Sequence, residues 1–153
     1  MKVDIEDLKK LRIDTKAGIA DCRQALEDSK GDYGKAKKLI TKRGLEKAEK
    51  KASIETSQGI IEAYVHATSK VGVLLEIRTQ TDFVARNEEF KKVAHEIAMQ
   101  IAAMNPKSVK SLLASEYIRD SAQTIDMLVK SAIAKLGENI TIARFIRYQL
   151  GEE

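Results

Sequence analysis

Cysteine, tryptophan and long apolar runs are scarce or missing in this chain of 153 residues, and each shortage excludes a class of structure. A single cysteine, Cys22, excludes an internal disulfide and a cysteine-based zinc site. No window approaches the roughly 18 uninterrupted apolar residues that a membrane span needs. Lys2 and Asp4 interrupt the first residues, where a signal peptide would be apolar. We therefore expect a cytoplasmic protein with no membrane partner.

The composition that remains is typical of a folded protein built on aliphatic side chains. Hydrophobic residues make up 43% of the chain and charged residues 33%, whereas aromatics make up only 5%. Ala, Leu, Ile and Val must therefore supply the core, which favours closely packed helices on one another or on a sheet. The net charge of +4 permits contact with nucleic acid but does not require it.

Residues 1–45 are predicted to form a three-helix head. Each helix has an apolar stripe: Val3, Ile5, Leu8 and Leu11 in the first, Ile19, Cys22 and Leu26 in the second, and Ala36, Leu39 and Ile40 in the third. Turns at residues 14–18 and 30–34 separate them, and the third is predicted to end near Gly44. Residues 46–58 are rich in Lys and Glu and predict a charged helical linker.

Residues 59–153 are predicted to form an α+β domain. GIIEAYVHA alternates apolar and polar residues, VGVLLEIRT is more continuously apolar, and a short turn joins them as a hairpin. A helix over about residues 88–104, a helical stretch over 108–136 with a break near 120–123, and a final strand in ITIARFIRYQL follow. The predicted fold is thus a head of helices followed by an antiparallel sheet of about three strands packed with helices.

Groupings that carry covalent chemistry are missing from the sequence. It has no glycine-rich phosphate loop, no nucleophile elbow and no zinc-type histidine pair. His66 and His95 fall in different predicted elements, which favours surface or structural roles for both. The sequence therefore predicts a protein that is not an enzyme and that has no cofactor or metal.

A run of basic residues between Lys37 and Lys51 has two readings. It is either a stripe that binds nucleic acid or the solvated face of a helix. Interleaved glutamates and the lack of aromatic stacking partners favour the solvated face. A small basic nucleic-acid binding protein remains the alternative function, and it predicts strongly salt-dependent binding.

The stretch TQTDFVARNEEF at residues 79–90 also has two readings. Thr79 or Thr81 caps a helix, with Asp82 in its first turn and Phe83 as its first core residue. Alternatively, Phe83 projects at a strand-to-helix tip as an apolar wedge, beside a carboxylate that binds a partner. Spacing alone favours the first reading.

Three segments together resemble the elongation factor Ts family. They are LKKLRIDTKAGIADCRQALEDSKGDYGKAKKLI in the head, QTDFVARNEEF in the middle and GENITIARFIRYQLGE at the end. Lys16 departs from the pattern, since the family usually has glycine there. The length is a second departure, because residues 105–137 leave room for one core unit and not for the duplicated core and coiled-coil insertion of long members.

The resemblance implies a guanine-nucleotide exchange factor that acts on GDP-bound elongation factor Tu, in the cytoplasm and without direct nucleic-acid contact. It implies a UBA-like head that docks on the partner through Leu11, Arg12, Thr15, Ala17, Gly18, Ile19 and Asp21. It implies an exchange wedge of Thr81, Asp82, Phe83 and Val84 that disturbs the magnesium and phosphate site. Short members act as homodimers, so a homodimer is implied here. Phe83 is then expected to face outward and Phe90 to face the core.

Overall fold

The computed structural model describes residues 2–152, which form seven helices and five strands. The helices are α1 (Ile5–Thr15), α2 (Ile19–Asp28), α3 (Tyr33–Lys51), α4 (Asp82–Ala85), α5 (Glu88–Met104), α6 (Val109–Ala114) and α7 (Ile125–Leu136). The strands are β1 (Gln58–Val65), β2 (Val71–Thr79), β3 (Glu116–Tyr117), β4 (Asp120–Thr124) and β5 (Ile140–Gln149). The predicted α+β class, with helices first and a small antiparallel sheet after them, is confirmed.

Helices α1, α2 and the first half of α3 enclose a small aliphatic core. Its buried side chains are Leu8, Leu11, Cys22, Ala25, Leu26, Ala36 and Ile40. Asp4 caps α1 by accepting the Glu6 N–H at 2.7 Å, and Asp32 caps α3 by accepting the Lys35 N–H at 3.0 Å. Ile5 and Ile19 belong to the predicted apolar stripes, but both side chains are exposed. Each stands at the first residue of its helix, where the stripe already points away from the small core.

Helix α3 does not end near Gly44 as predicted but continues to Lys51. Gly44 has no positive φ and does not act as a C-cap. It lies instead where α3 meets α7, close to Ala134. Residues 46–51 of the predicted linker therefore extend the third helix of the head, which runs on to pack against the second half of the chain.

The main sheet has the order β1-β2-β5, and both pairs are antiparallel. Its inner face packs on α5 and α7 around a large core that includes Leu75, Ile77, Phe90, Ile97 and Ile133. A bulge next to Glu76 lets β5 change register, so that Ile77 pairs with Ile142 and Glu76 with Arg144. Gly59 is required at the start of β1, because a β-carbon there would lie 2.1 Å from the Ile77 carbonyl oxygen.

The stretch predicted as helical over 108–136 holds two helices separated by the hairpin of β3 and β4. The hairpin is held by Gln100 of α5, whose buried amide donates to the Glu116 carbonyl at 2.8 Å and accepts the Ile118 N–H at 3.0 Å. Burial and a hydrogen bond to Glu96 raise the pKa of Tyr117, also in the hairpin, to about 12. Among the helices within residues 2–152, none is long and apolar enough to cross a bilayer.

Candidate functional site

The tip between β2 and α5 projects one aromatic side chain into solvent. Phe83 is 86% exposed, whereas Phe90, seven residues later, is fully buried at 0%. The two phenylalanines of TQTDFVARNEEF thus point in opposite directions, as the resemblance implied and as spacing alone did not. Among the exposed large apolar side chains of residues 2–152, that of Phe83 is the most exposed.

Helix α4, which carries Phe83, has only four residues. A single helical turn is unstable in isolation, so its geometry depends on what surrounds it. Thr81 is its N-cap and accepts the Val84 N–H on Oγ1 at 3.3 Å. Thr79, the other proposed cap, is instead buried at the end of β2, where its hydroxyl donates to the Asn139 carbonyl at 3.0 Å.

The base of the tip rests on the turn after α7. Glu138 Oε1 accepts the Thr81 N–H at 3.0 Å, and Glu138 Oε2 accepts the Thr81 hydroxyl at 2.8 Å. The Asn139 N–H donates to the Gln80 side-chain oxygen at 2.7 Å. Together with Thr79, the residues Gln80 and Thr81 before α4 are therefore bound to Glu138 and Asn139, which precede β5.

The remaining residues of the predicted wedge differ in exposure. Asp82 is exposed and pairs with Arg86 at 2.6 Å, one turn further on. Val84 is buried and belongs to the large core. Asp82 and Phe83 therefore face solvent, whereas Val84 anchors the turn from below.

The predicted docking residues of the head lie around the α1–α2 junction. Arg12, Gly18 and Ile19 are exposed, and the Ile19 side chain is 53% exposed. Leu11 is buried in the core of the head, so it supports this surface from inside. Asp21 is half-buried and pairs with Lys47 of α3 at 2.9 Å.

Side-chain bonds hold the α1–α2 junction in one shape. Thr15 Oγ1 donates to the Leu11 carbonyl at 2.7 Å and accepts the Ala17 N–H at 3.3 Å. Lys16 between them adopts a left-handed conformation with φ of 58° as the C-cap of α1. A hydrogen bond from the Tyr33 hydroxyl lowers the pKa of Asp14, which lies in the last turn of α1.

Part of the basic run on α3 is paired with acidic residues of the head. Three of its seven cations form ion pairs: Lys37 with Asp14, Arg43 with Asp28, and Lys47 with Asp21. Lys35, just before the run, pairs with Asp32. Glu49 of the same helix pairs with Lys130 of α7 at 3.6 Å. These ion pairs neutralise part of the local charge within the chain, which favours the helix-face reading over a nucleic-acid stripe.

The outer face of the main sheet is an apolar surface that the sequence analysis did not single out. Its exposed apolar side chains are Ile61, Ala63, Val65, Leu74, Ile146 and Tyr148. At one end, Glu76 bonds Arg78 at 2.7 Å and Arg144 at 3.2 Å, and these contacts lower the Glu76 pKa. Ile60 and Ile61 place apolar residues on both faces of β1, but this pattern does not tell which face other elements cover.

The two histidines lie near each other on the surface beside β1. Tyr64 Oη lies 3.0 Å from His66 Nδ1, and His95 Nδ1 lies 3.3 Å from Glu62 Oε1. No group of three His, Cys, Asp or Glu side chains that could hold a metal ion is found between residues 2 and 152. Cys22 is buried, as predicted.

Comparisons with known proteins point to a single family. The family model described as "Elongation factor TS" matches residues 80–153. The elongation factor Ts of Coprothermobacter proteolyticus is 38% identical over 197 aligned positions, which cover 99% of this chain and 100% of that protein. That of Thermotoga neapolitana is 38% identical with full coverage of both. That of Aquifex aeolicus is 45% identical over 97% of this chain and 53% of its own length.

Proposed function

Since this chain belongs to the elongation factor Ts family, it is a translation elongation factor, and we propose that it exchanges the guanine nucleotide of elongation factor Tu. In this proposal it binds the GDP-bound factor in the cytoplasm and accelerates GDP release. The observation that carries the proposal is the exposure of Phe83 on a braced turn. An apolar side chain held in water gains free energy when it enters a pocket on a partner.

The proposed mechanism needs no covalent catalysis. GDP is held by a magnesium ion that bridges its phosphates and by backbone amides around them. Insertion of Phe83, with the Asp82 carboxylate beside it, displaces the partner segment that supports the ion. The phosphate charge is then poorly neutralised, and the nucleotide leaves faster. By linkage, GDP must weaken the complex by the same factor by which the complex weakens GDP binding.

We assign most of the binding affinity to the head and most of the acceleration of GDP release to the tip. Ile19 stands exposed at the start of α2 and Arg12 is exposed in the last turn of α1, so the head offers an apolar side chain and a cation at the two ends of the α1–α2 junction. Phe83 lies on a different part of the chain, after β2. Because the two contacts lie on different parts of the chain, we expect their contributions to binding affinity and to the rate of GDP release to be separable.

The proposed assembly is a homodimer through the outer face of the main sheet. A second copy is the occupant we favour, because this face combines a central apolar block with an ion-pair cluster at one end. Two such faces related by a two-fold axis can bury the apolar blocks against each other while the Glu76–Arg144 pairs stay near the rim. Sheets pack face to face in this way in β-sandwiches.

The basic run on α3 gives little support to direct nucleic-acid binding, because three of its seven cations are already paired within the chain and Glu46 and Glu49 lie among the others. Filter binding to RNA at low salt would reveal such an activity. Binding that weakens steeply with salt would favour the alternative function.

Stopped-flow release of a fluorescent GDP from elongation factor Tu tests the proposal directly. The wild-type chain should accelerate release, and Phe83→Ala should lower the maximal rate more than it raises the half-saturating concentration. Ile19→Ala should do the reverse. Ile118→Ala removes an exposed isoleucine from the β3–β4 hairpin and is the matched control. Release that the wild-type chain leaves unchanged would refute the proposal, and equal effects of both variants would refute the division of labour.

A further inference from the structure

We infer that Glu138 is a positioning residue for nucleotide exchange, and that it acts through Thr81 on the turn that carries Phe83. The inference rests on the proposed function, because it assigns Glu138 a part in the insertion of Phe83. Glu138 follows α7, and 57 residues separate it in sequence from Thr81. It touches neither Asp82 nor Phe83 by any hydrogen bond or ion pair found within residues 2–152.

Glu138 binds Thr81 through both of its carboxylate oxygens. One carboxylate oxygen accepts the Thr81 N–H at 3.0 Å, and the other accepts the Thr81 hydroxyl at 2.8 Å. The first oxygen also lies 3.2 Å from the Thr79 hydroxyl. A carboxylate that accepts at both oxygens fixes the position and the orientation of the residue it binds more strongly than a single bond would.

These two hydrogen bonds also determine which way the Thr81 hydroxyl points. A carboxylate can only accept, so the hydroxyl hydrogen must turn toward Glu138. Its lone pairs are then free to accept the Val84 N–H at 3.3 Å, which is the capping bond of α4. Glu138 therefore orients Thr81, Thr81 caps the Val84 amide, and this cap holds the helical turn that carries Phe83.

This support matters because α4 is too short to hold itself. Its four residues cannot sustain a helical turn without outside contacts. Val84 and Ala85 secure the turn from below by burial, but neither orients the Thr81 hydroxyl that caps it. Without Glu138, the amide of Thr81 loses its acceptor and the capping hydroxyl is free to rotate. Phe83 then samples several directions, and fewer encounters insert it correctly.

Glu138 carries no ion pair with any Lys, Arg or His in the part of the chain that the structure describes. Its recorded hydrogen bonds are all to Thr79 and Thr81. Within the described structure, Glu138 therefore acts only as a hydrogen-bond acceptor at the base of the tip. This is what a positioning residue would do.

The test compares the maximal rate of GDP release with the half-saturating concentration in Glu138→Ala. We expect the maximal rate to fall by roughly 10- to 100-fold, as misplacement of a working group does, with the half-saturating concentration unchanged. Thr81→Val should have the same effect, and Thr81→Ser should restore the wild-type rate. The double variant Glu138→Ala/Thr81→Val should be no slower than either single variant, because both remove one chain of contacts. Glu55→Ala, which removes an exposed carboxylate outside this network, is the control.

A second measurement does not depend on the partner. Amide hydrogen exchange at Val84 in the free protein should be faster in Glu138→Ala and in Thr81→Val than in the wild type, with unchanged protection in α5. Unchanged exchange at Val84, or a double variant whose rate loss is the product of the two single losses, would overturn the inference. A wild-type rate in Glu138→Ala would overturn this inference alone, whereas a wild-type chain that fails to release GDP would overturn the proposed function and this inference with it.

Discussion

Gly44 of α3 lies so close to Ala134 of α7 that a β-carbon at position 44 would stand 3.1 Å from the Ala134 methyl. The contact joins the helix that completes the head to a helix of the second half of the chain. The ion pair between Lys130 of α7 and Glu49 of α3 spans the same junction. The head is therefore seated on the rest of the protein by packing as well as by charge.

Gly44→Val should destabilise the protein, because two methyl groups on Cβ cannot fit against Ala134 unless the helices separate. We expect a loss of about 1–3 kcal/mol in the free energy of unfolding, the usual range for overpacking. Urea denaturation followed by circular dichroism measures it. Lys42→Val introduces the same residue at an exposed position of α3 and should cost little. Equal stability of the two variants would contradict the close packing.

The two phenylalanines of the tip should respond oppositely to truncation. Phe90→Ala should lower the free energy of unfolding by about 3–5 kcal/mol, since it empties a fully buried site. Phe83→Ala should change it by less than about 0.5 kcal/mol, because an exposed ring contributes little to the core. Unfolding midpoints of the two variants in urea give the comparison, and a large loss in Phe83→Ala would mean that the ring packs in solution.

Lys16→Gly should stabilise the head. Lys16 has a φ of 58°, a conformation that side chains with a β-carbon adopt at a cost and that glycine adopts freely. We expect a gain of about 1 kcal/mol, partly offset by the greater freedom of glycine in the unfolded chain. Lys9→Gly, within α1, should instead cost about 1 kcal/mol. A loss of stability in Lys16→Gly, measured by thermal unfolding, would show that the lysine contributes through other contacts.

The oligomeric state should depend on the outer face of the main sheet. Sedimentation velocity is expected to give the mass of two chains for the wild type and of one chain for Leu74→Asp, because a dimer would bury that carboxylate without a partner. Ile118→Asp places the same charge on an exposed isoleucine away from this face and should leave the dimer intact. A monomeric wild type, or a dimeric Leu74→Asp, would rule out this interface.

The sequence predicted the elements whose signals are local. Periodicity gave the three helices of the head and the strands of the main sheet, and capping patterns gave their starts. The end of α3 could not be predicted in this way, because the residue against which the helix packs at Gly44 is Ala134, 90 positions further along the chain. The β3–β4 hairpin was missed for a similar reason, since its main anchor is the buried amide of Gln100.

The candidate site was predictable in part. Motif resemblance identified Asp82 and Phe83, and the exposure of Phe83 agrees with it. Glu138 could not be found from the sequence, because an acidic residue in a turn after a helix has many ordinary roles. Only the folded chain brings it against Thr81. The apolar outer sheet face was also beyond reach, because alternation in a strand separates two faces without telling which one other elements cover.

The unbroken α3 has a consequence for how the two contacts with a partner combine. At 19 residues the helix is about 28 Å long, and it leaves no flexible hinge between Tyr33 and Lys51. On the proposed function, docking of the head would hold Phe83 at a high effective concentration near its target, with little orientational entropy left to lose. A variant whose head docks more weakly would then reach the full rate of GDP release at a higher concentration, whereas a variant with a defective tip would not.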